Sequence, residues 1–175
     1  MMDSRDIFLV AVLLSAGTLL RFILVLFGAT VTPNVLVAFY SIAIMLILPS
    51  FGEAIGIGFI GGVIASLISR SLINPAFLMS EPLGAAVCLL VFFSLRYHRR
   101  AAPYAAAFTA TIASGVVFTA LALSLAGIRV LEAYPDPGHF LATMAIVITA
   151  TALVNAVIAG LLYPFLRNYL DRFPR

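Results

Sequence analysis

The residues best suited to hold a charged small molecule are few in this chain, and they gather toward one end of its apolar segments. Glu81 stands in INPAFLMSEPLGAAV, residues 73–87, between Pro75 and Pro82 and between two long apolar runs. A carboxylate there has two readings. It can cap the helix that follows, since anions are favoured at helix N-termini by about 0.3–1 kcal/mol. It can instead face a ligand, because an ionisable group at membrane depth is costly and marks a site or pathway. Arg70 and Arg129 are the candidate opposite charges. Asn34 and Asn74 add amides in the same region. Asn155 lies inside the apolar run LVNAVIAGLLYPFL, where an amide must pair with another helix or meet a ligand. Phe77, Phe39, Tyr40 and Tyr134 offer rings for offset or edge-on stacking. This is binding chemistry: no nucleophile, base and orienting group gather at one depth.

Other chemistries are excluded or poorly supported. All ten basic residues counted as Lys+Arg are arginine, so the chain has no P-loop, which needs a lysine on the β/γ-phosphates. Any ATP-driven step belongs to another chain. Cys88 is the only cysteine, so there is no intrachain disulfide and no multi-cysteine metal site; in its apolar run it reads as a small buried side chain. His139 with scattered carboxylates has no metal-ligand spacing, and His98 sits among arginines in a polar loop. No cofactor is expected. Gly56-Ile-Gly58-Phe-Ile-Gly61 matches the dinucleotide pattern G-x-G-x-x-G, but that pattern works only between a strand and a helix in a βαβ unit. Inside a continuous apolar helix, Gly58, Gly61, Gly62, Ala65 and Ser66 instead let a neighbouring helix approach closely.

The elements that must position these residues are membrane helices. Of 175 residues, 63% are hydrophobic and 10% charged, with mean hydropathy +1.17; soluble domains run near 45–50% and about 25%. The expected fold is all-α: a single domain over 1–175, an integral membrane bundle of six transmembrane helices. They are expected at about Ile7–Phe27, Asn34–Leu48, Gly52–Ser69, Pro82–Leu95, Ala102–Ala126 and Phe140–Phe165, the second and fourth being short for a span of roughly 17–25 residues. MMDSRDIFLVAVLLSAG mimics a signal peptide, but its apolar run continues to Phe27, so it reads as a retained first helix. Pro33, Pro49, Pro75, Pro82 and Pro103 and the Tyr134–Gly138 turn cluster punctuate the chain. Arg5, Arg96, Arg99, Arg100, Arg167, Arg172 and Arg175 fall on one side. The excess of arginine on cytoplasmic loops predicts both termini cytoplasmic, with Gly28–Pro33, Arg70–Glu81 and Gly127–His139 external. The basic pI of about 9.4 reflects this anchoring in the bilayer and not nucleic-acid binding, for which no basic surface with interleaved aromatics is present. Ala11 and Ser15, four apart on the first helix, offer either internal packing or a flat face for another membrane subunit.

TPNVLVAFYSIAIMLILP, GIGFIGGVIASL and INPAFLMSEPLGAAV, covering about Thr32–Val87, together with the looser VNAVIAGLLYPFL, resemble the substrate-binding S components of energy-coupling-factor (ECF) transporters, and within them the tryptophan-transporter type. The first helix departs from the family in carrying Ala11/Ser15 where Ala-x-x-x-Ala is typical. The resemblance implies a cell-membrane subunit, not an enzyme, that captures a small nutrient from outside. Tryptophan or another aromatic amino acid is the expected substrate, with Glu81 on the ammonium and Arg70 or Arg129 on the carboxylate. It further implies a separate transmembrane coupling protein and two ATPase subunits as partners, with Ala11 and Ser15 in docking. A stand-alone carrier and a non-binding accessory membrane subunit are the alternatives.

Overall fold

The computed structural model describes residues 2–27, 33–69, 73–98, 100–132 and 136–172, without the side chains of 126 and 128–131. Six α-helices follow one another: α1 Ser4–Leu26, α2 Leu36–Ile47, α3 Phe51–Ile68, α4 Phe77–Ser94, α5 Ala102–Glu132 and α6 Pro137–Leu170, with a 3₁₀ turn at Asn74–Ala76 before α4. No strand occurs among the described residues. Counting the 3₁₀ turn with α4, five of these helices are long and apolar enough to cross a membrane, and α2 is a shorter apolar helix.

The centre of the bundle is α2. Its residues Leu36 through Met45 are all buried, as expected of a helix that is apolar on every side. It packs against each of the other five helices, which stand around it in the order α1–α3–α4–α5–α6, each touching the next. Between α1 and α6 the backbones stand apart, with no Cα pair within 8 Å among the described residues. Local signals set the ends. Asp3 and Asp6 form a capping box at α1, and Ser50 and Glu53 another at α3. The Met2 amide donates to Glu53 Oε1 at 2.7 Å, which ties these two parallel starts together. Leu48 turns the chain out of α2 in the left-handed region, at φ 53°. Asp136 caps α6 by accepting from the His139 amide at 2.8 Å.

Several expected boundaries move. α4 starts at Phe77 and runs through Pro82, since membrane helices tolerate an internal proline when neighbours satisfy the freed backbone groups. α5 extends to Glu132 and α6 begins at Pro137, so most of the expected Gly127–His139 loop is helical. α6 runs on to Leu170 through Pro164.

The glycines of α3 work as close-approach points. A Cβ on Gly58 would lie 2.6 Å from Ala85 Cβ and 2.7 Å from the Glu81 carbonyl oxygen, and one on Gly62 would lie 2.5 Å from the Phe77 carbonyl oxygen. The absence of side chains there presses α3 onto the first turns of α4.

Candidate functional site

A buried polar cluster sits where the N-terminal end of α2 meets α1, α4, α5 and α6. Glu81 is 1% exposed. Its Oε1 accepts from Asn34 Nδ2 at 2.7 Å and from the Ser114 hydroxyl at 2.8 Å, and its Oε2 accepts from the Tyr40 hydroxyl at 3.0 Å. Glu81 is therefore held from three directions a full turn inside α4. It is not the cap: the N-cap position of α4 is Ala76, and no side chain caps it. Gly84, one turn further along α4, makes room for this arrangement, because a Cβ there would meet the Tyr40 hydroxyl at 2.6 Å.

Arg21 of α1 brings the opposite charge. It is 1% exposed and donates through Nη1 to Asn34 Oδ1. The Asn34 amide thus faces both ways, accepting from the guanidinium and donating to the carboxylate. A buried cation and a buried carboxylate are held apart by one amide. Each charge compensates the other at short range, which a buried ion requires. Asn155, fully buried near the middle of α6, donates through Nδ2 to the Asn34 carbonyl oxygen and to Thr111 Oγ1, both at 3.0 Å. The cluster adjoins an aromatic wall. The Arg21 guanidinium lies 4.9 Å from the Phe77 ring centroid, and Phe77 stacks, tilted at 32°, on Phe118 at 4.6 Å. A cavity of about 90 Å³ opens beside them, with Asn34, Thr111 and Ser114 on its polar side and Phe77, Phe118 and Met144 on its apolar side. Two buried atoms of the cluster, Arg21 Nε and Asn155 Oδ1, have no hydrogen-bond partner among the described residues.

Of the residues expected from sequence, Glu81, Asn34, Tyr40, Asn155 and Phe77 come together here. Asn74 opens the 3₁₀ turn before α4, and its Oδ1 is buried without a partner among the described residues; no described hydrogen bond joins it to the cluster. Arg70 and Tyr134 lie outside the described residues, as does the side chain of Arg129. Phe39, next to Tyr40 in α2, is buried against Gly17 of α1. Ala11 and Ser15 are exposed and line a groove of about 500 Å³ with Leu14, Ile60 and Ile64, between α1 and α3. Sequence reasoning missed Arg21, Thr111 and Ser114. For Arg21 the signal was present: it is the one arginine well inside an apolar helix, and such a charge is by default a site residue. Thr111 and Ser114 gave none, because hydroxyls in membrane helices commonly bond back to their own helix, as Thr111 does to the Ala107 carbonyl at 2.8 Å.

No family model matches the chain, and no solved structure matches it. Along nearly its whole length it is similar to a probable tryptophan transport protein of Bacillus subtilis (strain 168): 25% identical over 176 residues, covering 98% of this chain and 95% of the relative. Together with its apolar helices, this similarity supports a multi-pass membrane protein.

Proposed function

We propose that this chain is the membrane-embedded, substrate-binding subunit of an ECF-type importer, and that it captures tryptophan or another aromatic amino acid from outside the cell. The observation that carries the reading is the Arg21–Asn34–Glu81 relay beside the Phe77–Phe118 pair. A zwitterion needs an anion for its ammonium and a cation for its carboxylate. Glu81 takes the first role and Arg21 the second, the place that sequence reasoning gave to Arg70 or Arg129. The aromatic wall takes the ring of the side chain. Asn155 and Asn34 bond the remaining polar atoms. The similarity to a probable tryptophan transport protein supports the same substrate class.

In this reading both termini and the Arg96–Arg100 connection are cytoplasmic, and the chain forms one domain. With no lysine for a P-loop, energy comes from two ATPase subunits through a transmembrane coupling protein. The exposed Ala11–Ser15 groove is its docking face, where small side chains allow close helix approach. Thermal stabilisation of the purified protein by tryptophan tests the substrate. Ala11→Trp separates binding from transport: affinity stays near wild type, while uptake collapses in cells that supply the partners. Uptake that persists in cells lacking those partners would show a stand-alone carrier instead. A protein that no aromatic amino acid stabilises would be an accessory subunit.

A further inference from the structure

At the opposite end of the bundle, α4, α5 and α6 part around a second pocket, of about 840 Å³. This lies within the roughly 300–1,000 Å³ typical of ligand sites. Arg96 and Arg100, from the connection between α4 and α5, line it together with Arg167 from the end of α6. One carboxylate among the described residues, Asp171, shares the lining, so cations outnumber it. Aromatic residues make the main contacts of two of the arginines, and Asp171 adds a weaker charge interaction with Arg167. The Arg96 guanidinium lies 4.3 Å from the Phe93 centroid and 5.2 Å from that of Tyr97, and it donates to the Tyr97 hydroxyl at 3.3 Å. Arg167 donates to the Tyr163 hydroxyl at 2.5 Å and sits 5.9 Å from that ring centroid.

The aromatic contacts orient a guanidinium without neutralising it, and they leave N–H donors in the planar fork that matches phosphate oxygens; the one described carboxylate, Asp171, is outnumbered by the three arginines. Exposed Phe93 of α4 and exposed Leu161 and Phe165 of α6 supply apolar surface on the helices that flank the pocket. A free phosphate has no use for that surface, whereas acyl chains do. We propose that this pocket binds the phosphate headgroup of an anionic phospholipid, its chains lying along α4 and α6. Basic pockets between transmembrane helices on the cytoplasmic side bind anionic headgroups in this way. The bound lipid braces α5 against α6 where the Tyr104 ring packs on Gly160.

The test uses the purified protein in a nonionic detergent. Melting temperature is followed with phosphatidylglycerol, with phosphatidylcholine and with millimolar inorganic phosphate, and retained lipid is counted by native mass spectrometry. Phosphatidylglycerol is expected to raise Tm by a few degrees and to remain bound, while phosphatidylcholine does neither. Arg96→Gln with Arg167→Gln abolishes both effects. Arg100→Gln weakens both, and because that side chain is exposed the change leaves the fold intact. Equal effects of the two lipids, or full phosphatidylglycerol retention in the variants, overturn the assignment. Stabilisation by inorganic phosphate equal to that by phosphatidylglycerol would make the ligand a free phosphate and overturn the lipid. Binding of an acidic peptide without any phosphatidylglycerol effect would make the pocket a protein contact and overturn it as well.

Discussion

Glu81 and Arg21 have to be considered as a pair. Each is buried, and Asn34 links them. Removing one charge leaves the other uncompensated, which typically costs about 3–5 kcal/mol. Glu81→Gln is therefore expected to lower both stability and affinity, the affinity by about 1.5–3 kcal/mol for the lost bond to a charged ammonium. The double variant Arg21→Gln/Glu81→Gln removes both charges. In thermal unfolding it should recover most of the stability, while in titration calorimetry with tryptophan it should recover no affinity. Wild-type affinity in either protein would reduce the cluster to a structural network. The sequence made Glu81 legible through its unusual place between two prolines, but left open whether it caps or binds. Helix boundaries decide that, and Pro82 misplaced this one: taken as a start, it put Glu81 outside a helix that in fact encloses it.

The helices themselves were far more legible, because long apolar runs admit few other structures in lipid. What the runs could not give is which faces meet. α3 illustrates this, since its glycine pattern fits several roles until α4 is seen against it. Gly62→Ala would push a methyl group into the Phe77 carbonyl, and overpacking of this kind costs about 1–3 kcal/mol. Because that contact is with the start of α4, it should also displace Glu81 and weaken tryptophan binding. Gly56 is the control: nothing lies within 4 Å of a Cβ built there, so Gly56→Ala should be neutral or stabilise by up to about 1 kcal/mol through helix propensity. Parallel melting and binding curves for the two variants check this, and equal behaviour would remove the α3–α4 contact from the account of the site.

For the molecule as a whole, orientation decides whether the Glu81 cluster serves uptake. With Cys88 replaced by alanine, a cysteine at exposed Pro137 should react with an impermeant thiol reagent in intact cells, and one at exposed Ala101 should not. The reverse pattern would turn the site toward the cytoplasm and end the importer reading. Arginine placement supplies the expected orientation, whereas the order of helices around α2 left no trace in the chain, since an apolar run does not encode its partners. The central position of α2 also bears on how the protein is made. Its twelve residues rise about 18 Å, against a hydrocarbon core of about 30 Å. By itself α2 is too short to settle across a bilayer, so it cannot enter lipid as an independent unit during synthesis. It is made before α4, α5 and α6, three of the helices that enclose it. Until those helices follow, the nascent chain carries an unsheltered hub, and settling α2 in the membrane is a collective event that waits for α6.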